Sequence, residues 1–262
     1  MNLFKNIYSY RVTLWNLIKS DFKNRYLGNH FGIIWAFIQP LVMILVYWFV
    51  FTHGFKTTPI ENVPFLPWLL AGIVPWFLIS DAIVGSSRAI IDQSFLVKKI
   101  VFEVKLLPII KIGSAIFVNI AFWILLIVCL LLYGFYPTLL WIQIFYYILC
   151  ILALVLGFGL LLAAITPFIL DVGQFVSIFI QIMFWATPIF WNQDILPHSY
   201  IFIVKLNPFA YIIGGIRDAL LFNKPFWVHY NVTIYFWCLV IGLFLLGNHI
   251  FNKLRPHFAD VL

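Results

Sequence analysis

Six ionisable side chains crowd one stretch of the chain, Arg88 to Pro108 (RAIIDQSFLVKKIVFEVKLLP): Arg88, Asp92, Lys98, Lys99, Glu103 and Lys105. Their spacing forms no catalytic centre. Between them Ile90, Ile91, Phe95, Leu96, Ile100 and Phe102 recur near helical spacing, so the stretch reads as a short helix with one apolar and one basic side. That is the chemistry of a docking element for a soluble partner, the alternative being a helix resting on a membrane surface. Each of its charges would cost roughly 2.5–3.5 kcal/mol at a bilayer centre, which places the stretch outside hydrocarbon. The nine acidic residues of the chain are scattered singly, and the chain holds no G-x-x-x-x-G-K-[ST], H-E-x-x-H or G-x-S-x-G motif. Cys129, Cys150 and Cys238 lie in apolar runs without paired spacing, so neither a disulfide framework nor a metal site is expected. Asp81 and Lys111 are the main ionisable groups inside apolar runs; near span ends, they are expected to snorkel or to pair with Arg88 or headgroups. Two such groups are few for a proton-coupled carrier.

Aromatic residues make up 20% of the chain. Many belong to interfacial belts. Trp35, Tyr47, Trp48 and Phe51 on one apolar run, and Phe184, Trp185, Phe190 and Trp191 on another, could instead line a path for sugar rings, whose C–H faces stack on aromatic faces.

The elements that position these residues follow from composition. With 64% hydrophobic and 10% charged residues and a mean hydropathy of +1.05, the chain is an all-α integral membrane protein with no room for a soluble domain. Six apolar runs, Phe31 to Phe51, Phe65 to Val84, Leu106 to Leu132, Leu139 to Ile165, Val172 to Trp191 and Tyr230 to Phe251, predict six transmembrane helices in a single domain, 1–262. Ahead of them, in 1–30, Tyr8, Val12, Trp15, Ile18, Phe22 and Tyr26 fall on one helical face, predicting an amphipathic helix in the headgroup plane. Charges interrupt every apolar run there, so no cleavable leader is expected.

Spans one to five occupy 31–191, with the charged island at 88–108. The stretch 192–229 holds two apolar pieces too short to span, broken at Asn207, Pro208 and the Gly214–Gly215 pair, and predicts a re-entrant outward hairpin; a hairpin lying flat on the outer surface is the alternative. Its breakers suggest mobile limbs and an outer gate built from Asn207, Pro208, Phe209, Gly214, Gly215 and Arg217, with Arg217 and Asp218 facing headgroups, water or each other. The last span, 230–251, leads to a tail at 252–262. Twelve of the sixteen Lys and Arg residues fall before residue 30, between Ser86 and Lys111, or after Phe251; Lys56, Lys205, Arg217 and Lys224 fall on the other side. This asymmetry predicts that both termini and the island are cytoplasmic, and it explains the net charge of +7 without nucleic acid.

The sequence resembles the membrane subunits of type-2 ATP-binding cassette exporters that move lipid-linked polysaccharides, O-antigen and teichoic-acid exporters among them. The resemblance covers nearly the whole chain. It rests on R-Y-x-x-x-x-x-G-x-x-W at Arg25, Tyr26, Gly32 and Trp35, followed by Gln39 and Pro40; on FLVKKIVF in the island; on Asn207, Pro208 and Arg217; and on the terminal KLRPHFADVL. Glu103 stands where that family often has proline. The resemblance implies a homodimer in a bacterial cytoplasmic membrane above two copies of a separate ATP-binding cassette subunit, which would hold ATP and Mg; no cofactor is implied in this chain. The island would be the coupling element, with Phe95, Leu96, Lys98, Lys99, Phe102 and Glu103 as its contact residues. The polymer would pass between the two membrane subunits, and Arg25 and Arg88 would meet the lipid diphosphate, since guanidinium matches phosphate geometry. An exporter subunit for small hydrophobic molecules or drugs has the same architecture, and a membrane-embedded acyl- or glycosyltransferase is the enzymatic alternative.

Overall fold

A computed structural model describes residues 7–26, 32–57, 59, 62–99 and 103–262. Helix α1 spans Arg11–Tyr26, and α2, Trp35–Phe49, continues through a π-helical turn, Val50–Gly54. Then come α3 (Phe65–Ser87), the short α4 (Ala89–Asp92) and α5 (Ser94–Lys99), α6 (Leu107–Leu132) and α7 (Gln143–Ile165). The chain finishes with α8 (Asp171–Ala186), α9 (His198–Leu206), α10 (Pro208–Leu220), α11 (Tyr230–Leu254) and α12 (Phe258–Val261).

Among the described residues five helical stretches are long and apolar enough to cross a membrane, Gly32–Gly54, Phe65–Ser87, Val104–Leu132, Leu139–Ile165 and Phe226–Val261, and the bent pair Ser199–Leu206 with Pro208–Leu220 makes a sixth if it is one span. The run expected to form the fifth span, Val172 to Trp191, is helical only over the 16 residues of α8. At 1.5 Å per residue that is about 24 Å, short of a hydrocarbon core of roughly 30 Å. The cause is local. Pro188 excludes the α conformation from the residue before it, and Thr187 is extended, with φ −91° and ψ 137°. Residues 187–190 continue beyond α8, non-helical but buried.

Helices α9 and α10 meet at 92°, a bend that fits either the expected re-entrant hairpin or a single broken span. Asn207 caps α10 by accepting the Phe209 N–H at 2.9 Å, and Pro208 occupies the first helical position, where no N–H is needed. Asn207 Nδ2 also donates to Thr187 Oγ1 at 2.9 Å, tying the bend to the end of α8. The limb beyond it is not mobile in the manner the sequence suggested. Gly214 and Gly215 lie inside one continuous helix, and Phe209, Ile212, Ile213, Gly215 and Ile216 are buried. A side chain at Gly215 would occupy the volume of the Tyr147 ring, so this glycine is required for packing.

Most of α3 is buried, and around it pack α6, α7, α8 and α10. Helices α7 and α11 approach until a Cβ at Gly247 would lie 3.0 Å from the Gly157 carbonyl, the small-residue contact by which helices associate in lipid. A second apolar cluster gathers Leu14 of α1, Ala89, Ile90, Val104 and Leu106 of the island, and Phe251 and Phe258 near the C-terminus. The first and last described helices and the island therefore share one end of the bundle. Helix α1 divides the face its apolar periodicity predicts: Trp15 and Phe22 meet Phe117 of α6 at 5.3 and 6.0 Å. Leu14, Leu17, Ile18, Asp21 and Arg25 turn toward the protein, while Tyr8, Val12 and Trp15 are exposed, because the docked face must deliver Asp21 and Arg25 to partners on α3 and α6.

Gly215→Val should cost about 1–3 kcal/mol by overpacking against Tyr147, whereas Gly214→Ala, where nothing lies within 4 Å, should not destabilise. Thermal unfolding of the detergent-solubilised variants checks this; equal behaviour of the two would show that Tyr147 yields.

Candidate functional site

Arg217 is 5% exposed, in the middle of the apolar face of α10. Its Nε donates to the Trp68 carbonyl at 3.3 Å, one Nη to the Pro188 carbonyl and the other to the Ile189 carbonyl at 2.8 Å. The guanidinium carbon sits 3.4 Å from the centroid of the Trp68 ring. Three elements converge on one rigid fork: α3, the extended segment after α8, and α10. A side chain at Gly72 would collide with that fork. Arg217 therefore does not face headgroups or Asp218, as its position near the end of an outward hairpin suggested. Asp218 instead reaches His229 at 3.3 Å. A hydroxyl network nearby, which no motif announced, joins α7, α10 and α11: Tyr146 and Tyr211 hydroxyls lie 2.9 Å apart, Tyr211 meets Thr233 at 2.9 Å, and Trp237 Nε1 donates to Tyr146 at 3.0 Å.

At the opposite end, ion pairs run through four helices. Arg25 on α1 holds both oxygens of Asp81 on α3 at 2.9 Å and lies 3.4 Å from Asp21. Lys111 on α6 holds Asp21 at 2.7 Å and Asp92 on α4 at 2.9 Å, and Asp92 is 4.0 Å from Arg88. Asp81 thus pairs with Arg25, not with Arg88 or headgroups, and Lys111 is buried instead of snorkelling. Of the two expected phosphate-binding residues, Arg25 already carries two carboxylates, whereas the side chain of Arg88 is 62% exposed.

The island's contact residues separate into two groups. Phe95 (60% exposed) and Lys98 point away from the protein, while Leu96 and Val97 pack on the second apolar cluster. Glu103 turns inward, 5% exposed, to Arg255 at 3.0 Å, and the buried Lys105 donates to Asn248 at 2.9 Å. Glu103 is thus a strut to the C-terminal segment and not part of an outer contact face. Phe102 and the side chain of Lys99 lie outside the described residues.

The aromatic residues expected along a path are brought together only in part. Tyr47 and Phe51 of the first span meet Phe190 at 4.7 and 5.2 Å, and Phe184 and Trp185 close on the same ring at 5.0 and 5.5 Å. Phe190 is the buried hub, and Trp185 is half exposed. Trp48 packs on His53, Trp191 Nε1 donates to the Trp185 carbonyl, and Trp35 stands apart near Arg25.

A groove of about 880 Å³ opens beside Arg25 and Asp81, between α2, α3 and α6. Gln39, Ser80 and Asn119 contribute polar groups to it, and Trp35, Phe77 and Phe122 contribute ring faces. Among the described residues no His, Cys, Asp and Glu cluster could hold a metal ion. The arrangement can bind, brace and transmit movement.

Residues 12–221 match the family described as ABC-2 type transporter. Two proteins of Klebsiella pneumoniae called O-antigen export system permease protein RfbA are 27% and 28% identical to the chain over 249 residues, covering 94% of it and 93% of each relative. A protein of the same name from Myxococcus xanthus is 29% identical over 219 residues, 79% of this chain and 80% of its own length.

Replacing Arg217 by Leu strands three buried carbonyls at about 1–3 kcal/mol each, so the purified variant should unfold at distinctly lower temperature. Arg217→Lys should recover little, because an ammonium cannot present the planar fork. Wild-type melting by the lysine variant would show that a point charge suffices.

Proposed function

The chain belongs to the ABC-2 type transporter family, and from that premise we propose that it is the membrane subunit of an ATP-driven exporter of a lipid-linked, O-antigen-like polysaccharide. The protein is a multi-pass membrane protein with a transport role, not a catalyst. Similarity across most of their length to relatives that carry the O-antigen export name supports the substrate class. ATP hydrolysis belongs to a separate cytoplasmic ATP-binding cassette subunit, because this chain has no phosphate-binding loop of its own.

The observation that carries the mechanism is the mounting of α5. Phe95 and Lys98 are presented outward, while Leu96 and Val97 seat the helix on a cluster that also holds α1 and Phe258. A groove in an ATPase that gripped Phe95 would therefore push on elements at both ends of the chain. Asp92, two residues before α5, extends the connection through Lys111, Asp21 and Arg25 to Asp81 on the central helix. The island lies on the cytoplasmic side in this reading. The charge count supports that orientation more strongly once Arg217 is removed from the outer tally, since its charge is buried and faces no compartment.

Two copies of the chain form the conduit. A single bundle is filled by its own core, whereas an interface between copies can open a continuous path. The exposed aliphatic faces of α2 (Leu45, Phe49) and α8 (Ile178, Ile182) suit such an interface. The lipid diphosphate is met first by Arg88, which is exposed and only loosely paired. The hairpin covers the far end of the path, and its second limb moves as part of the core.

Phe95→Asp tests coupling, since Phe95 is exposed and belongs to neither buried cluster. The variant should insert and purify normally with its ATPase, yet lose most glycan export, measured by surface display of the polymer. Full export would overturn the assignment of α5. Leu96→Asp serves as the contrast, because its side chain packs inward and its replacement should lower folding yield.

A further inference from the structure

The groove between α2, α3 and α6 exists because α2 touches the bundle with only part of its surface. Toward the hairpin end Ile44 is buried and Tyr47 and Phe51 lock onto Phe190. Toward the island end Ala36 is buried and Phe37 meets Phe122 at 6.3 Å, while on the groove side Gln39 and Met43 are exposed and Trp35 is 42% exposed. The wedge of about 880 Å³ falls within the roughly 300–1,000 Å³ of small-ligand sites.

Its polar groups are mostly acceptors. Asp81 presents a carboxylate whose side chain is 43% exposed. Asn119 is buried, gives its N–H to the Val74 carbonyl at 3.2 Å, and leaves Oδ1 with no donor. Pro40 brings no N–H to the carbonyl of Ala36, which lies on the groove wall. Ser80 donates its hydroxyl proton to the Phe77 carbonyl at 3.2 Å, so toward a ligand it too can accept. Against these stand the Gln39 amide, which can do either, and Arg25, whose guanidinium already holds Asp81 and Asp21.

An ionised phosphate brings only acceptors and would meet the Asp81 carboxylate. A plain acyl chain would fill the apolar wall of Trp35, Met43, Phe77 and Phe122 and leave every acceptor unpaired. A sugar satisfies both walls: its hydroxyls donate to Asp81, Ser80 and Gln39, and its C–H faces lie on the rings. We infer that this wedge, within one copy of the chain, is a binding site for the sugar headgroup of a membrane glycolipid. The identification of the natural ligand as the exported lipid-linked glycan rests on the exporter reading; the site itself does not.

The test is binding, independent of transport. The full-length protein, in nanodiscs containing equal small fractions of glucosyl-dioleoylglycerol, dioleoyl phosphatidic acid and dioleoylglycerol, is released into native mass spectrometry and its retained lipids are identified. Wild type should retain the glucolipid over the other two. Gln39→Leu, which removes an exposed polar group without touching the core, should reduce that retention about fivefold, the worth of one hydrogen bond. Met43→Trp, which fills the wedge, should abolish it. Indifference of wild type among the three lipids, preference for phosphatidic acid, or glucolipid retention unchanged in both variants would overturn the site. Retention as expected alongside normal export by Phe95→Asp would instead leave the site standing and defeat the proposed coupling.

Discussion

A single guanidinium closes the backbone bookkeeping of this bundle. Because Pro188 ends α8 at Ala186 while the chain is still buried, the carbonyls that follow must find donors within the protein. Non-helical backbone at that depth persists only against protein. Arg217 supplies donors to Pro188 and Ile189, uses the remaining edge for Trp68, and rests its face on the Trp68 ring. Carbonyl dipoles and a ring quadrupole thus take the place of water around the buried guanidinium. One consequence is mechanical: α10, although preceded by a right-angle bend, is fixed to α3 and to the segment after α8. Any motion of the hairpin must come from α9 and the hinge at Asn207, or from the bundle as a whole.

Charge organises the other end differently. Between helices in lipid the hydrophobic effect gives little preference for one rotation over another, so polar contacts and small residues decide register. Here alternating pairs, Asp81 with Arg25, Arg25 with Asp21, Asp21 with Lys111 and Lys111 with Asp92, select the face that α1 presents. Losing one member of a buried pair leaves its partner uncompensated, which makes the arrangement stiff. Glu103 with Arg255 and Lys105 with Asn248 do the same for the last helix. Helix α5 is only six residues long and could not hold a shape alone. Its stability comes from this braced platform, which also joins α1, α3, α6 and α11.

Much of this was legible in the residues, and what was legible is local. Hydropathy marked the apolar runs, because the transfer cost of a side chain depends on the side chain. Asn207 followed by Pro208 announced a helix start, since a cap oxygen and a fixed φ act within one turn, and the basic island showed where the bundle must emerge from hydrocarbon. Even the early end of α8 was written in Thr187–Pro188, although an uninterrupted apolar run masked it. The pairings were not legible. Arg25 and Asp81 are separated by 56 positions, Lys111 and Asp21 by 90, and Arg217 and Trp68 by 149. A sequence shows that donors and acceptors exist, but which of them come within 3 Å is set by how helices rotate and tilt against each other. The tertiary structure alone therefore brought Asp21 and Arg25 of α1 to their partners, drew Glu103 inward and buried Arg217. It also left part of α2 standing away from the bundle, opening a groove that no spacing of Trp35, Gln39, Asp81 and Asn119 could have foretold.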